Sequence, residues 1–337
     1  MNTKKNFAVL GSAAAAMMLA LSACGGGAGS AGGDSQTLRL ALNQTETHPS
    51  YVALDNMGQN LDKNTEGKLS VDVHANETLG KQKEVIQLVS DGTVEMAVVS
   101  GTQLENLNPD FQVFNLPGVF DSVEHQMSVL ADESTVSDLY ASLEERNITV
   151  LGGLTQGTRS IYNSNGPINK PQDLAGMKIR VQESDVQMKM IELMGGAPTP
   201  MAFGEVYTAM QSGVIDGAEN NEISYLTQKH NEVAKFFSTT NHLVGLDYVV
   251  INTDVYEAMS EDVRTALREQ WAAAVEEHTA LWLKQTDEAH AQLETNGTKF
   301  NDVDEQAFDA ALEPLIKQYV DTEVEQRIYD AARAAAK

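Results

Sequence analysis

Strands and helices alternate in the pattern of apolar and polar positions along the first part of the chain. Residues 37–42 (TLRLAL) and 69–74 (LSVDVH) alternate with a period of two, which is typical of strands. Residues 49–64 and 81–90 carry helical patterns, and the apolar run at 96–99 predicts a buried strand. The order strand, helix, strand therefore repeats, which predicts an α/β fold with largely parallel sheets.

The middle of the chain continues the same alternation. Short apolar runs bounded by Gly, Asn or Asp predict further strands at residues 148–154, 177–181 and 248–251. Helical patterns occupy residues 122–146, 183–194 and 205–212.

A long helix is predicted after Ser260. This residue can cap it, acidic residues follow at the positive end, and neither Pro nor Gly interrupts the chain before Gly297. One helix of this length would span roughly 50 Å, enough to brace two domains. Two helices with an unmarked break are the alternative. Residues 302–336 form a second helical region, which we expect to be interrupted at Pro314.

Composition sets limits on the class of protein. The chain has 337 residues, 42% of them hydrophobic, which is enough for roughly two domains of about 150 residues each. Lys and Arg number 23 against 48 Asp and Glu, so a formal charge of −25 leaves no basic surface for nucleic acid. The single cysteine excludes an intrachain disulfide, a cysteine-based zinc site and an iron–sulfur cluster within the chain.

The N-terminal residues are predicted to be a leader and a tether. Two lysines precede an apolar, alanine-rich run at residues 7–20, which is the layout of a secretory signal peptide. The LSAC sequence that follows resembles a bacterial lipobox, in which the cysteine receives a diacylglycerol and becomes the new N-terminus. We therefore predict a lipoprotein signal peptide over residues 1–23, lipidation at Cys24 and a flexible Gly/Ala/Ser tether over residues 24–35. A plain signal peptide with an incidental cysteine is the alternative.

Sequence motifs that would define an enzyme are absent. There is no G-x-S-x-G elbow, no H-E-x-x-H, no phosphate-binding G-x-x-x-x-G-K-[ST] and no G-x-G-x-x-G after a strand. The seven histidines are scattered, and none lies at metal-ligand spacing from another. Nothing in the sequence therefore indicates catalysis, and we expect neither a cofactor nor a metal.

Two arginines lie within predicted strand segments, Arg159 in GTR and Arg180 in KIRV. Basic residues in strands, rather than on polar helix faces, are unusual in so acidic a chain. A guanidinium can hold a carboxylate through two parallel hydrogen bonds. Both arginines are therefore candidates for binding a small organic acid, and an ion pair with a local acidic residue is the alternative for each.

The most specific block of sequence surrounds Arg180. KIRVQES at residues 178–184 is followed by GAPTPMAFGEVYTAMQSGVIDGAEN at residues 196–220. This block resembles the solute-binding subunits of tripartite ATP-independent periplasmic (TRAP) transporters, the DctP family. The resemblance extends from residue 37 to about residue 319, and GTR at residues 157–159 supports it.

The resemblance implies a periplasmic-binding-protein-like α/β fold with two lobes, hinge strands and a long helix that spans both lobes. Residues 36–155 and 245–255 are expected to form lobe 1, and residues 156–244 lobe 2. Residues 256–337 would then contain the spanning helix and the C-terminal helices. In family members an organic acid binds in the cleft between the lobes.

Three basic and amide residues are assigned to the ligand by the same resemblance. Arg180, in K-x-R-V, is expected to form the salt bridge with the ligand carboxylate. Arg159 is the expected second basic contact. Asn220, in the E-N dipeptide, is expected to hydrogen-bond the same carboxylate or a neighbouring hydroxyl.

Four further positions bear on the ligand class. Phe203 is expected to be an apolar wall, with a purely structural packing role as the alternative. Asn43 and Ser100 end strands where family members often place polar ligand contacts, and members that bind sialic acid carry Glu at the position of Ser100, which disfavours that ligand. Asn221 follows the E-N dipeptide and favours a sugar acid such as a uronate over a bare C4-dicarboxylate. Capping of the next helix is the alternative for Asn221.

The predicted function is transport. We expect an extracytoplasmic, membrane-anchored lipoprotein and a monomer that captures a small organic acid anion and delivers it to TRAP integral-membrane subunits. An extracytoplasmic lipoprotein enzyme acting on a carboxylated substrate and a ligand sensor for a signalling receptor are the alternatives.

Overall fold

The computed structural model describes residues 35–336, which form one mixed β-sheet with helices packed against it. The nine strands of this part of the chain are β1 (Gln36–Ala41), β2 (Leu69–His74), β3 (Met96–Ser100), β4 (Ile148–Asn163), β5 (Lys178–Val181), β6 (Ala197–Pro200), β7 (Gly217–Asn220), β8 (Phe236–Asn252) and β9 (Lys299–Asn301). Their order is β2-β1-β3-β8-β4-β7-β5-β6, and β9 pairs with β8. The predicted signal peptide, Cys24 and all but the last residue of the predicted tether lie outside the described residues.

Helices connect most of the strands. Those in residues 35–336 are α1 (Pro49–Asn64), α2 (Gln82–Ser90), α3 (Gly101–Glu105), α4 (Val123–Leu130), α5 (Glu133–Ala141), α6 (Asp185–Leu193), α7 (Val206–Gln211), α8 (Glu222–Thr227), α9 (His230–Val233), α10 (Thr253–Ala258), α11 (Glu261–Thr295), α12 (Glu305–Tyr319) and α13 (Glu323–Ala334). Helix α1 has the predicted bounds. Its start is set by a proline in the first turn and by His48, whose side chain accepts a hydrogen bond from the Ser50 N–H.

Helix α11 is one unbroken helix of 35 residues. The predicted single helix is therefore confirmed, and the alternative with an internal break is wrong. At 1.5 Å per residue it is roughly 50 Å long. It packs against α1, next to β1 and β2, and against α8, which follows β7.

Two predicted helical regions break at other places than expected. The region at residues 122–146 is divided into α4 and α5, because Asp132 caps the second helix by accepting a hydrogen bond from the Ser134 N–H. The expected interruption at Pro314 is wrong, since this proline lies inside α12. The break falls at Thr322, which forms a reciprocal capping box with Glu325 at the start of α13.

Strands β4 and β8 are far longer than predicted, with 16 and 17 residues. Their central segments contain glycine, polar and charged residues, so the apolar pattern stops although the pairing continues. The two strands run antiparallel, with a register shift between Thr155 and Thr158. The pairs within the groups β2-β1-β3 and β6-β5-β7 are parallel, as is the short pair β8-β9, whereas the central pairs β3-β8, β8-β4 and β4-β7 are antiparallel. The expectation of largely parallel pairing therefore fails in the centre of the sheet.

The crossing strands β4 and β8 join two halves of the sheet. Strand β3 pairs with the last residues of β8, Met96 opposite Ile251, whereas β7 pairs with the last residues of β4, Asn220 opposite Ser160. Each half has its own parallel strands, and α11 contacts helices of both halves. This is the two-lobed α/β architecture that the resemblance implies.

Candidate ligand-binding site

Polar side chains of both halves of the sheet line a small inner chamber. Asn43 follows β1, Gln182 follows β5 and Asn220 ends β7, which places them beyond the carboxyl ends of parallel strands, where ligands bind in open α/β sheets. The crossing strands and α11 supply other parts of the wall. The full lining is Asn43, Gln44, His48, Gln156, Arg159, Arg180, Gln182, Phe203, Asn220, Asn221, Asp247 and Trp282.

Arg180 is buried at this chamber and forms no ion pair within residues 35–336. Its Nε and Nη2 both donate to the backbone carbonyl of Met201, at 3.0 and 2.8 Å, and its guanidinium lies 5.6 Å from the centre of the Phe203 ring. Its Nη1 donates to none of the described residues. Burial lowers the pKa of Arg180 to about 10, so the side chain is still a cation at neutral pH. A buried cation without a counter-ion is costly, and the position therefore favours an anion.

Arg159 has its hydrogen-bonding capacity filled by the protein. Nε and Nη2 donate to the two carboxylate oxygens of Glu219 at 2.6 and 2.7 Å, and Nη2 also donates to the Glu219 backbone carbonyl at 2.9 Å. Nη1 donates to Gln156 Oε1 at 2.6 Å and to Asn220 Oδ1 at 2.9 Å. Burial opposes ionisation of Glu219, but the charge of Arg159 outweighs it and lowers the pKa of this carboxyl to about 2. Because all five N–H groups are used, a ligand would have to displace one of these partners to bind Arg159.

Asn220 and Asn221, the two asparagines of E-N-N, differ in which side-chain hydrogen-bonding groups remain available to a ligand. Asn220 Oδ1 accepts from Arg159 and from both the N–H and the Nδ2 of Asn221, at 2.9 Å each, whereas its own Nδ2 donates to none of the described residues. Asn221 Oδ1 accepts from the Ser224 N–H at 2.7 Å and caps α8. The Asn221 side chain therefore caps α8 through Oδ1 and bonds Asn220 through Nδ2. The Asn220 Nδ2 group remains available to donate a hydrogen bond to a ligand in the chamber.

The other three expected ligand contacts, Asn43, Ser100 and Phe203, do not all reach the chamber. Asn43 lines the chamber, and its Oδ1 is buried without a hydrogen-bond partner in the described part of the chain. Ser100 does not line the chamber; its hydroxyl bonds Gln182 at 3.2 Å and Gln156 at 3.3 Å behind it. Phe203 lies beneath Arg180 and also packs edge-on against His230, with 5.8 Å between ring centres. Phe203 therefore has contacts of both expected kinds.

Six lining residues have no place among the sequence-predicted contacts, and one of them, Gln44, directly follows the predicted Asn43. Gln156 and Gln182 stand beside the arginines in QGTR and RVQ, so their position next to the motifs could have indicated them. Asp247, Trp282 and His48 come from β8, α11 and the turn before α1, and no local signal marks them.

His48 presents an N–H donor to the chamber. Its Nδ1 accepts a hydrogen bond from the Ser50 N–H at 3.2 Å, so this nitrogen is unprotonated. Burial lowers the pKa of His48 to about 3, and the ring is neutral at neutral pH. The single ring proton is therefore on Nε2, which is buried and has no partner among the described residues. The ring lies edge-on to Trp282, with 5.3 Å between centres.

The chamber is small. Its volume of about 10 Å³ is close to the space for one water molecule. A mouth of about 320 Å³ shares Asn43, Arg180, Gln182 and Phe203 with it. Across the mouth Lys81 forms an ion pair with Glu205 at 2.5 Å, joining the two halves of the molecule. A six-carbon acid needs more room than the chamber alone offers, and the adjoining mouth, which shares Arg180 with the chamber, is large enough to supply it.

No group of three or more His, Cys, Asp or Glu side chains in residues 35–336 is arranged to hold a metal ion. Likewise, none of the helices in this range combines the length and the apolar character needed to cross a membrane.

The fold and the chamber together define a two-lobed binding protein for a small organic anion. The family of bacterial extracellular solute-binding proteins, family 7 (DctP), matches residues 40–323. The chain belongs to this family, whose members are solute-binding proteins of TRAP transporters and not enzymes.

Individual relatives agree over most of the chain. A solute-binding protein of Chromohalobacter salexigens is 34% identical over 276 residues, which are 81% of this chain and 82% of that protein. A TRAP periplasmic solute-binding protein of Anaerococcus prevotii, solved with bound D-glucuronate, is 33% identical with a TM-score of 0.87, covering 89% of this chain and 98% of its own. A third, from Xanthobacter autotrophicus with bound β-D-galacturonate, is 31% identical with a TM-score of 0.84, covering 88% and 99%.

Proposed function

We propose that this protein captures a sugar acid such as glucuronate or galacturonate for a TRAP transporter. The observation that carries the proposal is Arg180, a buried cation at the chamber with no ion-pair partner in residues 35–336. A ligand carboxylate would supply the counter-ion and accept hydrogen bonds from Nη1 and Nη2. The unpartnered Asn43 Oδ1 and His48 Nε2 suit hydroxyl groups, since each buried polar atom needs a partner. The uronates bound to similar proteins support the same ligand class.

Arg159 has a positioning role in this proposal. Its bonds to Gln156 and Asn220 hold two chamber residues in place, and its ion pair with Glu219 leaves the ligand carboxylate to Arg180. Ser100 acts in the same indirect way through Gln156 and Gln182. Phe203 forms the apolar wall under the Arg180 guanidinium, and Asn221 contributes by fixing the Asn220 side chain.

Capture proceeds by closure of the two lobes. We propose that lobe 1 comprises residues 36–155 and 245–255, lobe 2 comprises residues 156–244, and residues 256–337 brace both. The register shift between Thr155 and Thr158, with Gly157 at φ 61°, supports a hinge at this point of β4. The ligand favours the closed state only by as much as it binds that state more tightly.

The protein would act outside the cytoplasm as a monomer anchored through lipidated Cys24, and would hand its ligand to separate integral-membrane subunits. The lipobox-like LSAC supports the anchor. The large apolar side chains exposed in residues 35–336 are scattered, namely Val214, Leu283 and Val324, which supports a monomer. Metabolic labelling with a radioactive fatty acid tests the anchor: the wild type should incorporate the label and Cys24→Ser should not, and an unlabelled wild type would refute lipidation.

Thermal-shift titration with D-glucuronate, D-galacturonate and succinate tests the ligand class. A micromolar ligand at millimolar concentration should raise the apparent free energy of unfolding by about 4 kcal/mol. Arg180→Ala should abolish the shift, because the carboxylate loses its counter-ion. Lys178→Ala is the matched control, since Lys178 is an exposed cation on the same strand. The proposal fails if no sugar acid gives a shift, or if the shift survives Arg180→Ala undiminished.

A further inference from the structure

Asp247 is a buried acid on the wall of a chamber that is expected to bind an anion. Its side chain is 3% exposed and lies on β8, opposite Ser100 of β3 and Leu154 of β4. Oδ1 accepts a hydrogen bond from Gln156 Nε2 at 2.5 Å, whereas Oδ2 has no hydrogen-bond partner in residues 35–336. Asp247 also forms no ion pair in this range, so its charge is not neutralised by a direct cationic neighbour.

The charged side chains of the chamber include one cation and one anion that have no ion-pair partner in residues 35–336. Arg159 is neutralised by Glu219, His48 is neutral, and Arg180 and Asp247 carry one unpaired charge of each sign. Burial raises the pKa of Asp247 to about 6, which leaves the group ionised at pH 7.5. The charged residues of the mouth are the acids Glu77 and Glu84 and the pairs Lys81–Glu205 and Lys83–Glu183. A ligand carboxylate at Arg180 uses the one cation of the chamber that has no ion-pair partner in the described residues, and a second carboxylate would meet the Asp247 charge.

Hydrogen-bond acceptors without partners also favour a ligand with a single carboxylate. Asn43 Oδ1 and Gln44 Oε1 are buried without partners in the described residues, and Asp247 Oδ2 adds a third acceptor. Ligand hydroxyls can donate to these oxygens, whereas a carboxylate has only acceptors to offer. We infer that Asp247 is a specificity-determining residue, which makes the chamber accept sugar acids with a single carboxylate and reject dicarboxylates. The inference rests on the proposed function and narrows its ligand class.

Titration calorimetry at pH 7.5 with D-glucuronate, D-gluconate and D-glucarate tests this inference. Gluconate and glucarate share an open six-carbon chain and differ at C6, which is a hydroxymethyl group in the first and a carboxylate in the second. The wild type should bind glucarate about 100-fold or more less tightly than glucuronate, because like charges in a desolvated site repel strongly. Asp247→Asn keeps the side-chain shape and an acceptor for Gln156, and it should improve glucarate binding relative to glucuronate by about tenfold or more.

Controls separate charge from other effects. Gluconate should not share the relative gain, since it has no second charge. Asp254→Asn removes the same charge from an exposed position just after β8 and should leave all ratios unchanged. If Asp247→Asn does not fold, Asp247→Ser replaces it, and the wild-type comparison of glucarate with gluconate, which share an open chain, stands by itself.

The possible results separate a failure of the Asp247 inference from a failure of the proposed sugar-acid function. Equal wild-type affinity for glucarate and glucuronate overturns the role of Asp247, as does an unchanged ratio in Asp247→Asn or an equal gain for gluconate. In each of these cases Arg180-dependent binding of glucuronate would leave the proposed function intact. A wild type that binds none of the three acids would overturn both.

Discussion

Arg159 and Glu219 form a fully buried ion pair between the neighbouring strands β4 and β7. The two side chains are 2% and 0% exposed, and their Nε–Oε2 and Nη2–Oε1 distances are 2.6 and 2.7 Å. The pair also holds Gln156 and Asn220 through the remaining guanidinium donor. It neutralises one of the two chamber arginines within the protein, and this leaves Arg180 as the cation for a ligand.

Glu219→Gln should be strongly destabilising. Loss of the carboxylate charge leaves the Arg159 cation buried without a counter-ion, and we expect the free energy of unfolding to fall by about 3–5 kcal/mol in urea titrations. Glu205→Gln removes one partner of the exposed pair with Lys81 and should cost less than about 1 kcal/mol. Equal losses in the two variants would contradict the importance of the buried pair.

Gly157→Ala should be destabilising at the crossing strand. Gly157 has a φ of 61°, and a Cβ atom there would overlap the indole Nε1 of Trp282. Gly176 has a φ of 80° with open space around it, so Gly176→Ala measures the cost of the backbone conformation alone, about 1 kcal/mol. We expect Gly157→Ala to lower the free energy of unfolding by about 1–3 kcal/mol more. Equal chemical-denaturation midpoints for Gly157→Ala and Gly176→Ala would show that the Trp282 side chain moves aside at little cost in free energy.

Three buried histidines should make the fold sensitive to acid. Burial lowers the pKa values of His48, His230 and His278 to about 3, below the usual 6.5. The unfolded chain therefore binds their protons as the pH falls through 6.5, and the native state does so only near pH 3. Each histidine should reduce the free energy of unfolding by about 1.4 kcal/mol per pH unit across this window.

His278→Asn tests this sensitivity. The difference in pH slope between the variant and the wild type, measured by urea unfolding from pH 5.5 to 3.5, should correspond to about one proton. Comparing slopes removes the contribution of acids such as Glu105, whose pKa is raised to about 7 by burial and which acts with the opposite sign between pH 4.5 and 7. Parallel curves for the two proteins would mean that His278 is protonated in the native state.

Ligand binding should change the fluorescence of one of the two tryptophans. Trp282 lines the chamber beside His48, whereas Trp271 lies against Gly152 of β4 and outside the chamber lining. Trp271→Phe should therefore keep the glucuronate-induced change in emission, and Trp282→Phe should lose most of it. A change that follows Trp271 instead would place the main structural response away from the chamber.

The residue patterns alone indicated Arg159 and Arg180 alike, whereas the family resemblance made Arg180 the expected salt-bridge residue and Arg159 a second basic contact. Both lie in short motifs within strands, and the alternative of a local ion pair applied to each. Arg159 takes that alternative with Glu219, 60 residues away, because β4 and β7 pair in the register that sets Ile161 opposite Glu219. Arg180 meets only a backbone carbonyl and an aromatic ring. A strand register cannot be read from either motif, so the pairing of Arg159 with Glu219 was not predictable.

Local patterning by itself determined the α/β class, the bounds of α1 and the long helix α11, because helix and strand periodicity depend on neighbours a few residues apart. Tertiary structure alone decided that β4 and β8 continue through polar centres and which side chains enclose the chamber. His48, Asp247 and Trp282 arrive there from three separate elements. Such meetings are set by strand pairing and helix packing over long separations, which no local spacing encodes.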